Sequence, residues 1–234
     1  THLYANWGRT FQVLTGSTAP AYLTPGQGPM QPSTNTGMEA GLKFSPFAGS
    51  QARLAVWQQD AANEVSNMPA TGTTVTLGKT RRRGVDAQIN AQVGERWTLW
   101  ASHAYQEAKI ERDGRPGAVS LAGREVAAVP RHISNVGVDF QATPALQLGV
   151  QGRAQGGYYL EEQNVTGKFG NFAVLDLSAR YELSPRWSMD LQVRNATGRD
   201  YAYAWYDSFF WEQAQPMFSP AAGRTVHLGF NMKL

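Results

Sequence analysis

The stretch Thr225-Val226-His227-Leu228-Gly229-Phe230-Asn231-Met232-Lys233-Leu234 decides the fold. Val226, Leu228, Phe230, Met232 and Leu234 alternate with Thr225, His227, Gly229, Asn231 and Lys233, and a β-strand throws successive side chains to opposite faces with that period of two. One face is apolar and the other polar. Upstream, Trp187, Met189, Leu191 and Val193 alternate with Ser188, Asp190, Gln192 and Arg194. Ser184-Pro185 then turns the chain back to Leu175, Leu177, Ala179, Tyr181 and Leu183, set against Asp176, Ser178, Arg180 and Glu182. The same pattern places strands near 146–155, 136–140, 97–101, 85–93, 54–56, 40–44 and 3–7, about ten in all.

The connections alternate in length. Short ones lie near 46–50, 94–95, 143–145 and 184–185, and long ones near 14–33, 66–78, 113–127, 161–170 and 204–220. Tight turns on one rim and long loops on the other are the layout of a transmembrane β-barrel. A soluble sandwich also alternates, but its outer face is usually rich in Lys and Glu over a closed core; here the polar face is Gln, Asn, Ser, Thr and Gly with single charges of both signs. Trp97, Tyr181 and Trp187 flank short turns, while Tyr105, Tyr158 and Tyr201 stand near the starts of long loops, as two interfacial aromatic girdles require.

Composition excludes several function classes. Charged residues are 17% of the 234, below the roughly 25% of soluble domains. Mean hydropathy is −0.39 and no run of about 18 apolar residues occurs, so transmembrane helices are excluded. A net charge of +3 falls short of the dense basic stripe of a nucleic-acid binder. With no cysteine there are no thiolate metal sites and no cysteine nucleophile. His2, His103, His132 and His227 fall in separate strands without metal-ligand spacing. Gly78-Lys79-Thr80 looks like the end of a phosphate-binding loop, but Gly72 is one residue out of place and the following residues alternate as a strand where a helix N-terminus is needed. Asn164-Val165-Thr166 formally matches a glycosylation acceptor. No Ser-His-Asp grouping is evident. No enzyme, resident cofactor, metal site or nucleic-acid partner is expected.

Five motifs in chain order resemble the C-terminal half of TonB-dependent outer-membrane receptors. They are Glu39-x-Gly41-Leu42-Lys43, Gly78-Lys79-Thr80-Arg81-Arg82-Arg83-Gly84-Val85-Asp86, Val129-Pro130-Arg131-His132, Asn195-Ala196-Thr197-Gly198-Arg199-Asp200-Tyr201 and Pro220-Ala221-Ala222-Gly223-Arg224. The resemblance implies a bacterial outer-membrane receptor with a 22-stranded antiparallel barrel around a plug. Residues 1–234 would be the C-terminal part, about ten consecutive strands, with the plug and earlier strands outside this chain. It implies import of a scarce nutrient, first of all a ferric siderophore or other metal chelate, with energy from TonB acting through the plug. A passive self-closed ten-stranded channel is the alternative.

The lumenal face carries Glu39, Lys43, Arg53, Asp86, Asp139, Arg153, Asp176, Arg180, Glu182, Asp190, Arg194 and Lys233, a mixed wall that suits either a polar plug or an open channel. Alternation divides Arg81, Arg82 and Arg83 between the lumen and an outer rim facing lipid headgroups. The loop 204–220 holds Trp205, Tyr206, Phe209, Phe210, Trp211, Met217 and Phe218. Aromatic platforms beside a guanidinium suit a planar, oxygen-rich anionic ligand, so Arg153, Tyr159, Tyr206 and Trp211 are the expected ligand contacts.

Overall fold

The computed structural model describes residues 1–12, 32–68, 73–113, 119–207 and 215–233. Nine strands follow one another in an antiparallel meander: β1 (His2–Gln12), β2 (Ser33–Phe44), β3 (Ser50–Met68), β4 (Thr73–Val93), β5 (Trp97–Arg112), β6 (His132–Thr143), β7 (Leu146–Gln155), β8 (Phe172–Glu182) and β9 (Trp187–Arg194). The chain then makes a separate hairpin of β10 (Ala202–Asp207) and β11 (Gln215–Pro220), and β12 (Thr225–Met232) returns to pair with β9. The result is a ten-stranded sheet. Among the described residues it does not close, and β1 and β12 are its edges.

Register keeps the apolar set on one face. Leu99, Val138, Val150, Leu177, Val193 and Val226 form one continuous row across six strands. A slip of one residue anywhere would turn this row inside out. The row is exposed rather than buried: Val226 is 64%, Val150 43% and Leu177 39% accessible. Burying apolar surface is worth about 25 cal/mol per Å², so a face of this kind is stable only against hydrocarbon.

Rings mark both edges of that face. Trp97 and Phe140 stack at 4.2 Å beside the short turns, with Tyr181 and Trp187 on the same outward parity. At the other end Tyr105 and His132 lie 5.1 Å apart, and His103 is 5.6 Å from His132. Trp97 and Tyr105 therefore bracket the span of β5, a length that matches the roughly 9–11 residues of a tilted transmembrane strand. Tyr158 corrects the expected upper girdle. It is 6% exposed and sits in a loop cluster, because its hydroxyl finds backbone partners there.

On the inner face, three aromatic side chains stand opposite glycines on the neighbouring strand and close to them: Tyr4 to Gly41, Trp57 to Gly84 and Trp100 to Gly137. A Cβ would approach Tyr4 Oη to 2.7 Å at Gly41, Trp57 Cζ2 to 2.7 Å at Gly84 and Trp100 Cε2 to 2.2 Å at Gly137. At Gly137 the ring alone fills the space of a side chain, and at Gly41 and Gly84 the Leu54 carbonyl at 2.6 Å and the Tyr105 carbonyl at 2.5 Å close it as well.

Two expected loops contain strand. β3 and β4 continue to Met68 and from Thr73 through most of 66–78, and β10 and β11 lie within 204–220. Beyond the bilayer both faces meet water or other loops, so the apolar alternation that identifies a strand disappears while the backbone pairing goes on. A bulge breaks this extension at Asn63, which has φ of 56°. The added residue reverses the alternation. Asp60 thus faces outward to Arg81, at 2.8 Å, while Glu64 faces inward to Arg82 and Thr80.

Two outcomes follow from the assigned faces and the glycine contacts. Leu191→Arg places a cation on the lipid face and should cost about 2–4 kcal/mol in lipid refolding titrations; Gln192→Arg, on the lumenal face, should cost far less, and equal costs would reject the assigned faces. Gly137→Ala should destabilise by about 1–3 kcal/mol through overpacking against Trp100. Most of that loss should disappear when Trp100→Ala is made in the same molecule.

Candidate functional site

The inner wall and the loops at its long-connection end form the candidate site. Along the wall, charges are largely paired between strands. Arg53 on β3 bonds Glu39 on β2 at 2.6 Å and Tyr4 on β1 at 2.8 Å, while the Tyr4 hydroxyl donates to Glu39 at 2.6 Å. Arg180 bonds Glu182 at 3.0 Å and lies 3.6 Å from Asp190, which also accepts from Asn231. Asp86 and Asp139 have no ion pair among the described residues.

Arg153, on the inner face of β7, meets Asp176 at 3.2 Å. The other Asp176 oxygen accepts the Asn195 backbone N–H at 2.7 Å. Together with Gln151, Ser178, Gln192 and Arg194 these residues line an open polar cavity of about 350 Å³. Among the described residues the Arg194 side chain hydrogen-bonds Gln192, at 3.4 Å, and forms no ion pair, so two guanidinium groups here face the one carboxylate of Asp176. Beside it, Gln155 pairs with Phe172 in register. Phe172 packs on Tyr201 at 4.5 Å and Tyr203 at 6.2 Å, an aromatic group at the start of β8, outside the cavity lining and two residues along the strand from Val174, the register partner of Arg153.

Tyr159 does not line the Arg153 cavity. It lies beyond β7 with Lys168 4.8 Å over its ring, and its carbonyl accepts from the Ala128 N–H. Tyr206 is in β10, opposite Pro216; Trp211 lies outside the described residues. Sequence reasoning placed Arg194 on the lumenal face but did not pick out Phe172 or Tyr203, whose ring contact joins the start of β8 to the separate β10–β11 hairpin; the available signal was Tyr201 at the end of a motif.

The loops above the wall have their own apolar cores. Leu77, Ala108, Ile110, Leu121 and Val126 form one cluster, and Tyr158, Leu160 and Ala204 another. Glu125 binds Arg131 at 2.6 Å and Lys168 at 2.9 Å. Among the described residues no three His, Asp or Glu side chains converge as metal ligands.

A family model for the TonB-dependent receptor-like β-barrel matches residues 1–196. The chain belongs to the TonB-dependent receptor β-barrel family. Its members are bacterial outer-membrane receptors and not enzymes. The chain is 26% identical over 192 residues to the ferric-pyoverdine M114 receptor PbuA of a Pseudomonas species, covering 77% of this chain and 23% of that protein. It is 24% identical to the metal-pseudopaline receptor CntO of Pseudomonas aeruginosa, covering 79% of this chain and 26% of that one. Among solved structures, the ferric citrate transporter FecA in its unliganded form superposes with a TM-score of 0.76 at 19% identity, over 98% of this chain and 35% of that chain. The chain thus spans about a quarter of the length of the curated relatives it matches.

Above the membrane, Glu64 couples the bulge to the wall. Burial opposes its ionisation, but hydrogen bonds from Arg82 and Thr80 and the Arg82 charge outweigh it and hold the carboxyl below its ordinary value. A depressed folded pKa stabilises fully above the unfolded carboxylate value, about pH 4.3, and the contribution fades as pH falls through the folded value. Amide protection in residues 62–82 relative to Glu64→Gln should therefore shrink as pH falls below about 5. A pH-independent ratio would remove Glu64 from this role.

Proposed function

We propose that the complete protein is an energised outer-membrane import receptor, in which this chain supplies the last ten strands of a 22-stranded barrel closed around a plug. The observation that carries the reading is the open sheet with an outward apolar face and a polar inner wall that ends in a cavity holding Arg153 and Arg194. Further strands would satisfy the two free edges, since open edges have no place in hydrocarbon. Asp86 and Asp139 are available to a polar plug.

The ligand class is a ferric siderophore or other metal chelate. Relatives named as receptors for ferric pyoverdine and metal-pseudopaline support it, as does the chemistry of the cavity. A bidentate guanidinium suits carboxylate, catecholate or hydroxamate oxygens, and rings beside it suit planar chelating groups. Arg153 and Arg194 would hold the anionic edge, Phe172, Tyr201 and Tyr203 the flat face, with Tyr159, Tyr206 and Trp211 contributing from the loops. TonB would drive release through the plug.

The test is a panel of ferric pyoverdine, ferrioxamine, ferric citrate and metal-pseudopaline, applied to the full receptor at matched surface expression. One member should bind, and Arg153→Ala combined with Tyr203→Ala should weaken it by about tenfold or more. Uptake should vanish in cells lacking TonB while binding persists. Undiminished uptake without TonB would establish the passive channel instead.

A further inference from the structure

Three long connections meet above the wall: residues 119–131 between β5 and β6, 156–171 between β7 and β8, and the β10–β11 hairpin. The central one bonds to both neighbours by the same device. The Asn164 side-chain oxygen accepts the Glu125 N–H at 2.6 Å and its amide nitrogen donates to the Glu125 carbonyl at 3.0 Å. On the other side, the Tyr158 hydroxyl donates to the Ala204 carbonyl at 3.1 Å and accepts the Ala204 N–H at 3.2 Å. Each side chain therefore satisfies both backbone groups of one residue in a neighbouring loop, as a paired strand would.

Both anchors are themselves constrained. Asn164 sits at φ of 54°, a left-handed conformation that Asn tolerates better than most residues, and its amide also donates to the Glu161 carbonyl at 3.0 Å. Glu161 in turn accepts from the Val165 and Thr166 N–H groups at 2.8 and 2.9 Å. Tyr158 is buried with Leu160 and Ala204, and its ring covers Gly170. The Ala128 N–H to Tyr159 carbonyl bond, at 2.8 Å, adds a second tie to the first loop.

We propose that Asn164 and Tyr158 are positioning residues that lock the three loops into one rim, so that a chelate meets a pre-formed mouth rather than ordering it on arrival. Pre-organisation raises affinity by removing the cost of ordering the loops on binding, and an unlocked rim lowers the fraction of competent receptor. The proposal rests on the reading that this rim captures a chelate. The rim itself is testable without any ligand.

The experiment is amide hydrogen exchange on the full, ligand-free receptor, comparing the parent with Asn164→Ala and with Tyr158→Phe, which keeps the ring and removes only the hydroxyl. Heat-modifiable migration confirms that each barrel is assembled. Each variant exposes one amide directly, Glu125 or Ala204, so the cross effect is diagnostic. With a locked rim, Asn164→Ala also lowers protection at residues 202–207, and Tyr158→Phe also lowers it at 124–128, by about tenfold or more. Purely local effects overturn the proposal. Binding of the panel chelates, ferric pyoverdine first, should weaken in both variants; cross-site loss of protection with unchanged affinity would overturn the positioning role. If the parent binds no chelate of the panel, the ligand reading fails, and the exchange arm still decides whether the rim is one body.

Discussion

Hydrocarbon offers a backbone N–H or carbonyl nothing to bond to, so every strand within the bilayer must be paired along its length. From that requirement comes the unbroken ladder from β1 to β9 and on to β12. The same solvent turns the hydrophobic pattern outward, leaving Val150, Leu177 and Val226 exposed and the polar half of each strand to the lumen. Inside the sheet, charges are matched between strands, as in the Tyr4, Glu39 and Arg53 cluster. Shared hydrogen bonds keep such pairs satisfied in a space of reduced solvation.

Past the rings at Tyr105 and His132 the constraint changes. Water and loop backbone are available, strands lengthen without an apolar face, and the buried apolar clusters of the described residues lie here, where the far ends of β4 and β5 and the β10 strand pack against loops. Backbone groups that lack a strand partner are satisfied by side chains. Asn195 shows it within one turn, where its amide accepts the Arg199 N–H at 2.9 Å and donates to the Arg199 carbonyl at 2.8 Å. Asn164 and Tyr158 do the same between loops. The membrane tier is held by ladders and the loop tier by such side-chain substitutes.

The family motifs acquire physical content from these contacts. In Glu39-x-Gly41-Leu42-Lys43, Glu39 accepts from the Tyr4 hydroxyl, Gly41 makes room for the Tyr4 ring, and Lys43 stands 5.5 Å from that ring's centre. Gly84 serves Trp57 in the same way. Gly198, at φ of 66°, lies under the Arg224 guanidinium, which ties the late asparagine motif to the Pro220-to-Arg224 segment before β12. In these three motifs Gly41, Gly84 and Gly198 each lie against a large side chain from elsewhere in the chain.

The sequence by itself determined the transmembrane strands, their inward and outward faces, the short turns, the division of Arg81, Arg82 and Arg83 between faces and the family. Each of these depends on a period-two pattern or a local motif, and the bilayer enforces that pattern residue by residue. Tertiary structure alone decided what happens where the enforcing solvent ends. It extended β3 and β4 through an expected loop, reversed the face of Glu64 at the Asn63 bulge, and moved Tyr158 from an expected lipid girdle into a buried anchor. It also brought Phe172, Tyr201 and Tyr203 beside Gln155 and set Arg194 near Arg153 while leaving Tyr159 elsewhere. Those placements depend on register between distant strands and on single hydrogen bonds across loops, neither of which leaves a periodic trace in a linear sequence.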